Sequence, residues 1–191
     1  FVSLYNEGLI YQSDYIVNWD PKLQSAISDA EVIHEEKNGA FYHLHYKVKD
    51  SDIKLEIATT RPETLLGDTA VAVNPNDDRF KHLIGKKAIV PICNREVPIV
   101  GDEHVDIEKG TGCLKVTPGH DFNDFDIGKR HNLEIINILN KDGTLNSYGL
   151  EFEGMTCKEA RKKTIAKLKE LDLFVDKKNH VHQVGHGERS G

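Results

Sequence analysis

The chain has 191 residues, a net charge of −6, and 38% hydrophobic and 29% charged residues. This length suits a single domain with one substantial core, and no apolar run approaches the roughly 20 residues that a membrane-spanning helix needs. The acidic balance excludes a protein that holds nucleic acid through a broad basic surface, so any RNA contact is expected to be small and local.

The first part of the chain predicts a short helix followed by strands. Residues Phe1–Gln12 place apolar side chains at roughly helical spacing, and Tyr15–Trp19 favours a strand that ends before the turn residue Pro21. Phe41–Val48 alternates cleanly between apolar and polar side chains, which is typical of a strand with one face in water.

The middle of the chain is rich in strands. Further strands are predicted, from period-two patterns or short apolar runs, at Ile53–Ala58, Ala70–Val73, Lys87–Ile92, Glu96–Val100 and Gly112–Thr117. In the last of these, alternation places Lys115 and Thr117 on the same face.

Two helices and a closing strand complete the prediction. Asp121 can cap a helix that runs to about Asn132, and Thr156 with Glu159 forms a capping box for a helix that ends near Leu171. Ala160, Thr164, Leu168 and Leu171 form one apolar stripe on this second helix. Leu173–Val184 predicts the final strand. Together these elements predict an α+β fold, in which a β-rich mixed sheet curls toward a barrel with helices around it.

The first candidate site is the hydroxyl-rich turn from Thr59 to Thr64. Pro62 biases Arg61 toward an extended backbone, so Thr59, Thr60 and Thr64 can present hydroxyls to a polar ligand at a strand end. The alternative interpretation is a turn whose hydroxyls bond to their own backbone.

The second candidate site is the strand end and helix start that carry Lys115, Thr117, His120, Asp121 and Asp124. A strand that leads through a turn into a helix N-terminus forms a concave place for a polar ligand. The two carboxylates lie three residues apart, where both can receive an ammonium group. An aspartate at the cap and another in the first turn also suit any helix start.

Ten histidines make metal binding worth testing. His43 with His45, and His180 with His182, are spaced to chelate from strands, but no zinc or calcium signature is present. The sequence also lacks the signatures of a covalent serine or cysteine nucleophile. We therefore expect no metal and no cofactor. The basic residues of Lys158–Lys169 can approach a phosphate backbone, although such a run is more often a solvated helix face.

Several runs resemble a known family. Ile57–Val73 reads Ile-Ala-Thr-Thr-Arg-Pro-Glu-Thr-Leu-Leu-Gly-Asp-Thr-Ala-Val-Ala-Val and resembles the threonine-rich motif of the editing insertion in class I aminoacyl-tRNA synthetases for branched aliphatic amino acids. Gly110–Gly112 with Pro118–Asp124 is similar to its second motif, and Val17–Leu23 with Ala26–Asp29 is similar to the entry of the insertion in the valyl branch. The parent signatures for amino-acid activation with ATP are absent.

The resemblance implies an aminoacyl-tRNA ester hydrolase that removes threonine from the 3′ end of tRNA(Val), with threonyl-adenylate as a further substrate. A hydrophobic synthetic site rejects the hydroxyl isostere threonine only weakly, and for valyl-tRNA synthetase the known discrimination is about a hundredfold. By carry-over, Asp124 would anchor the α-ammonium, while Lys115, Thr117 and Asp121 would read the side-chain hydroxyl. Thr59, Thr60, Arg61 and Thr64 would hold the terminal adenosine and the ester, and His120 would lie in the binding site.

The implied setting is a piece of a longer synthetase. Residues 1–191 are expected to form one editing domain, with 1–20 and 180–191 connecting it to the parent catalytic domain. The chain begins at Phe1, and three widely spaced cysteines favour a reducing, cytoplasmic compartment without membrane contact. Lys109 stands where the family has an aromatic residue before the Gly-Thr-Gly turn. A non-catalytic RNA-end binding module and a metal-dependent hydrolase remain alternatives.

Overall fold

One mixed sheet dominates the structure, a computed structural model that describes residues 1–190. Gly191, the last residue of the predicted 180–191 connection, lies outside the described residues. The strands are β1 Asn18–Asp20, β2 Ser25–Ile27, β3 Val32–Val48, β4 Lys54–Thr59, β5 Ala70–Val73, β6 Lys87–Ile89, β7 Glu96–Gly101, β8 Cys113–Val116 and β9 Phe174–Gly187. The α-helices are α1 Val2–Asn6, α2 Phe122–Arg130 and α3 Cys157–Glu170.

Seven of these strands join in the order β4-β3-β6-β7-β5-β8, with β9 paired to β3. The β5–β7 pair is parallel and the other pairs are antiparallel. Strand β8, at one end of this order, contacts β4 at the other end. The sheet therefore curls on itself, because its two ends meet. Strands β1 and β2 form a separate hairpin.

The main core lies inside the curl, where alternating residues of β3 and β4 point inward. Leu44, Tyr46, Leu55 and Ile57 are all fully buried there. Helix α3 covers this core with Ala160, Thr164 and Leu168, each 0% exposed. Its predicted stripe was wrong at Leu171, which is 43% exposed because the helix has already ended at Glu170. The capping box of Thr156 and Glu159 is present as predicted.

Most predicted bounds hold to within a residue or two in the middle of the chain, although β6 ends at Ile89 rather than Ile92, and they fail in the first part of the chain. Helix α1 covers only Val2–Asn6, and β1 begins at Asn18 rather than Tyr15, because no residue before Asp20 is buried and little burial stabilises longer elements there. Strand β3 begins at Val32, well before the predicted Phe41, because β9 pairs with it from Val32 onward. His43, expected in water, is buried, and its Nδ1 lies 2.6 Å from Glu56 Oε1.

Among the helices of residues 1–190, none is long and apolar enough to cross a membrane.

Candidate functional site

The threonine-rich turn starts where β4 ends. Thr59 Oγ1 accepts a hydrogen bond of 3.2 Å from the Arg61 amide, and the Thr64 hydroxyl donates one of 2.9 Å to the Arg61 carbonyl. The hydroxyls of Thr59 and Thr64 therefore shape their own turn, as the alternative interpretation held. Thr60 is half-buried, and its hydroxyl has no partner within the described chain. Thr60 and the exposed Arg61 are thus the members of this motif whose side chains do not shape the turn itself.

A buried ion pair fixes the same turn to α3. Pro62–Gly67 forms a short 3-10 helix in which Glu63 is only 1% exposed. Its carboxylate receives two hydrogen bonds from Arg161, at 2.8 Å from Nε and 2.6 Å from Nη2. Such a bidentate pair fixes geometry as well as charge. The ion pair therefore anchors this turn to helix α3.

The second motif places its two carboxylates in different environments. Asp121 is exposed and caps α2, because its Oδ1 accepts from the amides of Asn123 and Asp124. Asp124 is 6% exposed, and its Oδ2 accepts a 2.8 Å hydrogen bond from the Thr117 amide. Its Oδ1 has no partner among residues 1–190. The two carboxylates therefore do not point to one side as predicted. Asp121 caps the helix, whereas Asp124 faces the end of β8.

The structure brings the two motifs together. Strands β5 and β8 pair antiparallel, and the Thr69 amide donates to the Val116 carbonyl at 2.9 Å. Arg61 Nη1 donates to the His120 carbonyl at 3.0 Å. The motifs are far apart in the sequence, yet this bond joins the exposed parts of both.

The centre of the cluster is a residue to which the sequence analysis gave no role. Asp68 is 0% exposed, and its Oδ1 accepts from the Thr117 hydroxyl at 2.6 Å and from Lys115 Nζ at 3.1 Å. The Tyr46 hydroxyl donates to its other oxygen, and Lys115 Nζ also donates to Thr117. Burial raises the pKa of Asp68, which Lys115 and the hydroxyl donors oppose. Asp68 lies inside the threonine-rich family motif, two residues before the buried strand β5, but no local pattern marked it as the centre of a site.

Burial makes Asp124 an unusual carboxyl. Its pKa is raised from 3.8 to about 7, chiefly by desolvation, with Lys115 and the Thr117 amide opposing the shift. Near neutral pH its charge therefore depends on what enters the site. An arriving cation would favour the carboxylate, since an opposite charge nearby stabilises the ionised form.

His120 is held neutral. Its Nε2 accepts a 2.9 Å hydrogen bond from the Ile138 amide, and burial lowers its pKa to about 3, helped by Arg61 and Lys115. A neutral ring whose Nε2 is already occupied does not act as an acid at neutral pH. The carbonyl of His120 accepts the hydrogen bond from Arg61, so this residue links the two motifs.

Two glycines allow the close packing around the cluster. A Cβ at Gly67 would lie 3.2 Å from Thr117 Cγ2 and 3.0 Å from the Ile136 carbonyl oxygen. A Cβ at Gly119 would lie only 2.5 Å from the same oxygen. The backbone at Ile136 therefore packs directly against both motifs. Any side chain at Gly67 or Gly119 would push this backbone away.

Metal ligation finds no support in the described part of the chain, where no group of three His, Cys, Asp or Glu side chains is arranged to hold an ion. His180 and His182 stack with ring centroids 5.9 Å apart. Lys109, at the position of the expected aromatic residue, is exposed and pairs with Asp106 at 3.0 Å.

Two clefts on the described part of the chain lie away from this cluster. A groove of about 470 Å³ runs along β3 and β9 beside Arg161, and a smaller cleft of about 70 Å³ lies near Asp20 and Arg189. Because Asp68, Lys115 and Thr117 are buried and bonded to one another, the expected common polar cavity is a closed cluster in this structure. Thr60, Arg61 and Asp121 lie at its accessible rim.

The chain matches a known protein family and is similar in sequence to several known proteins. The model of the family described as tRNA synthetases class I (I, L, M and V) matches residues 1–183. The valine--tRNA ligases of Bacillus subtilis (strain 168) and Streptococcus thermophilus (strain CNRZ 1066) are each 56% identical to the chain over 191 residues. These alignments cover 100% of this chain but 22% of each relative, so the chain spans about a fifth of their length.

Solved structures share the fold. The Agrobacterium radiobacter K84 agnB2 LeuRS, in a ternary complex with tRNA and LeuAMS, is 20% identical with a TM-score of 0.56, covering 95% of this chain and 31% of that one. GlLeuRS-CP1 is 12% identical with a TM-score of 0.52, covering 72% of this chain and 98% of that one. At such identities the likeness concerns the fold alone, and it confirms the predicted β-rich curled sheet with surrounding helices.

Proposed function

The chain belongs to the class I tRNA synthetase family (I, L, M and V), and we propose that it hydrolyses the ester bond of threonyl-tRNA(Val) as an editing domain. Threonyl-adenylate, which carries the same aminoacyl group in a mixed anhydride, would be a second substrate. Family membership and the chemistry of the cluster around Asp68 both support this function.

The observation that carries the proposal is the hydrogen-bonding capacity left on Lys115 and Thr117. An ammonium has three donors, and Lys115 uses one on Asp68 and one on Thr117. The Thr117 hydroxyl uses its donor on Asp68 and one lone pair on Lys115, which leaves one acceptor site. The pair therefore offers one donor and one acceptor to a ligand, and this combination suits a hydroxyl group.

That capacity explains how threonine would be separated from valine. The threonine hydroxyl donates to Thr117 and accepts from Lys115, whereas the corresponding methyl group of valine leaves both groups desolvated and unpaired. Leaving buried polar groups unpaired costs about 1–3 kcal/mol each, and sites built to bind a hydroxyl reject the analogue that lacks it strongly. Asp121, at the rim, would contribute a further acceptor, although its Oδ1 already serves the helix cap.

Asp124 would receive the α-ammonium of the aminoacyl group. Its Oδ1 is unpartnered in the described chain while Oδ2 is fixed by the Thr117 amide, so the acceptor is already oriented. Binding of an ammonium would hold Asp124 ionised despite its raised pKa. This places the charged end and the hydroxyl of threonine on neighbouring groups, because Thr117 contacts both Asp124 and Lys115.

The remaining residues would hold the RNA end and the ester. Thr60 and Arg61 face outward from the threonine-rich turn, which Thr59 and Thr64 keep in shape. A positioned water would attack the ester carbonyl, helped by the neighbouring ribose hydroxyl and by stabilisation of the oxyanion. Since His120 is held neutral by burial, we assign no residue as the general base.

The larger setting is a synthetase of which this chain is one part. Residues 1–17 expose several large apolar side chains, including Phe1, Leu9 and Tyr11. Segments 1–20 and 180–191 would connect this domain to the parent catalytic domain, which would hold most of the tRNA. The proposed setting is the cytoplasm, because free cysteines suit a reducing compartment.

The test is release of free amino acid by this chain from threonyl-tRNA(Val) and from valyl-tRNA(Val). We expect threonine to be released at least about a hundredfold faster, in the range that polar discrimination supplies. Thr117→Val should abolish the preference and Thr117→Ser should keep it, because serine retains the hydroxyl. Equal release from both substrates would contradict the proposal.

The two alternatives have their own outcomes. Saturable binding of threonyl-tRNA(Val) without release of threonine would indicate a binding module. Loss of hydrolysis on treatment with a chelator, with recovery on adding zinc, would indicate a metal-dependent hydrolase. We expect neither outcome.

A further inference from the structure

The groove along β3 and β9 has the chemistry of an anion site. Its lining includes Asn38, Tyr42, Arg161, Lys177, Asn179 and His180. No carboxylate lines it within residues 1–190, although the chain as a whole carries a net charge of −6. The groove is therefore amide-rich, with Lys177 as a cation and with Arg161, whose charge Glu63 balances, as a further donor.

Arg161 keeps spare donors for this groove. A guanidinium has five N–H donors, and the buried pair with Glu63 uses one on Nε and one on Nη2. Three donors remain on a side chain that is 35% exposed. Because Glu63 locks the guanidinium plane, these donors have a fixed direction. Fixed arginine forks suit phosphate oxygens.

Strand register places the groove next to the proposed editing site. Tyr42 of β3 pairs with Lys177 of β9 on one edge and with Thr59 of β4 on the other. Directly paired residues share a face of the sheet, and neighbouring strands lie about 4.7–4.9 Å apart, so Lys177 lies roughly 10 Å from Thr59. Lys177 Nζ lies 5.9 Å from the centre of the Tyr42 ring. The groove thus opens on the face that carries Thr59.

We propose that this groove, defined by Asn38, Tyr42, Arg161, Lys177 and Asn179, binds the phosphate backbone of the RNA strand just before its 3′-terminal nucleotide. The inference rests on the proposed editing function for the terminal nucleotide at Thr59–Thr64. A single strand has unpaired phosphates that Arg161 and Lys177 would bind, while the amides of Asn38 and Asn179 would reach phosphate or ribose oxygens. This track would lead the strand end into the site.

The first experiment measures binding of a labelled RNA oligonucleotide, with the single-stranded 3′ sequence of tRNA(Val), by fluorescence anisotropy. The test variant is Lys177→Gln with Asn179→Asp, which makes the groove less cationic without touching the Arg161–Glu63 pair. The control is Lys178→Glu, which changes the net charge by the same amount on the opposite face of β9. We expect the test variant to weaken binding about tenfold and the control to change it less than twofold.

The salt dependence gives a second readout. For a single strand, each lost phosphate contact reduces the slope of log affinity against log salt by about 0.7. The test variant should lower this slope and Lys178→Glu should not. Equal effects of both variants, or inorganic phosphate alone binding with the same dependence on Lys177 and no preference for RNA, would overturn the inference.

Hydrolysis of two substrates distinguishes RNA binding by the groove from the proposed editing function. Threonyl-adenosine carries the ester but no preceding phosphate, so the test variant should hydrolyse it at the unaltered rate. With threonyl-tRNA(Val) the same variant should need about tenfold more substrate for half-maximal rate. If the wild-type chain hydrolyses neither ester, the proposed editing function is wrong. If it hydrolyses both and the test variant changes neither reaction, the proposed RNA binding in the groove is wrong.

Discussion

Replacing Asp124 with asparagine tests the proposed site most directly, because function and stability should change in opposite directions. The Asp124 pKa of about 7, against an ordinary value of 3.8, means that the folded protein must bury a charge at high pH. Asparagine has nearly the same shape and can still accept the Thr117 amide bond, but it carries no charge. Its amide cannot neutralise an arriving ammonium.

The sign follows from proton binding. The folded state binds the Asp124 proton more tightly than the unfolded state, so wild-type stability falls as pH rises from about 4 to about 7 and then levels off. A shift of about 3 units corresponds to roughly 4 kcal/mol, and relaxation around the charge reduces this. We expect Asp124→Asn to be about 2 kcal/mol more stable than wild type at pH 8, or roughly 4–8 °C in Tm. The two proteins should be equally stable near pH 4.

Urea unfolding at pH 4 and pH 8 measures the stability, and release of threonine from threonyl-tRNA(Val) measures the function. Hydrolysis should fall at least about thirtyfold, which corresponds to 2–5 kcal/mol for removing one partner of a desolvated charge pair. Asp126→Asn, on the exposed side of the same helix, is the control and should change neither quantity. A variant that is less stable than wild type at pH 8, or that hydrolyses threonyl-tRNA(Val) at the wild-type rate, would refute the reasoning.

Four other predictions follow from single contacts. The kcat/KM of hydrolysis should peak between about pH 7, where Asp124 of the free enzyme ionises, and about pH 8, where a free α-ammonium loses its proton; a kcat/KM that stays flat from pH 5 to pH 7, after subtraction of uncatalysed hydrolysis, would contradict this. Asp68→Ala should destabilise the protein by about 3–5 kcal/mol in urea unfolding because it strands the buried Lys115 ammonium, and adding Lys115→Met should recover part of that loss. The pKa of Asp102 is lowered to about 2, and its partners are Arg130 and His131. Its ionised form therefore contributes about 2 kcal/mol to stability above pH 4, and this contribution is lost as pH falls toward 2. Asp102→Asn should match the stability of wild type only near pH 2. Gly119→Ala should cost roughly 1–3 kcal/mol by forcing a Cβ against the Ile136 carbonyl, and a thermal melt identical to wild type would contradict that packing.

The cluster around Asp68 was only partly predictable from the sequence. Alternation along β8 correctly placed Lys115 and Thr117 on one face, and the hydrogen bond between them follows from that spacing. The same reasoning missed Asp68, because its role depends on Tyr46 and Lys115, which come from two other strands. No local pattern distinguishes a carboxylate that will meet such partners from one that will face water.

The sequence by itself determined the elements whose signals are local: the buried run of β5, the aspartate cap of α2, the capping box of α3 and the order of the family motifs. Tertiary structure alone decided the extent of β3, since Glu35, Glu36 and Lys37 show no alternation and become a strand only because β9 pairs with them. It alone decided that Asp124 is buried, since the sequence places this residue in the first turn of α2 but does not show which neighbours cover it. The physical reason is that caps and periodicity act over a few residues, whereas strand pairing and desolvation depend on partners that are distant in the chain.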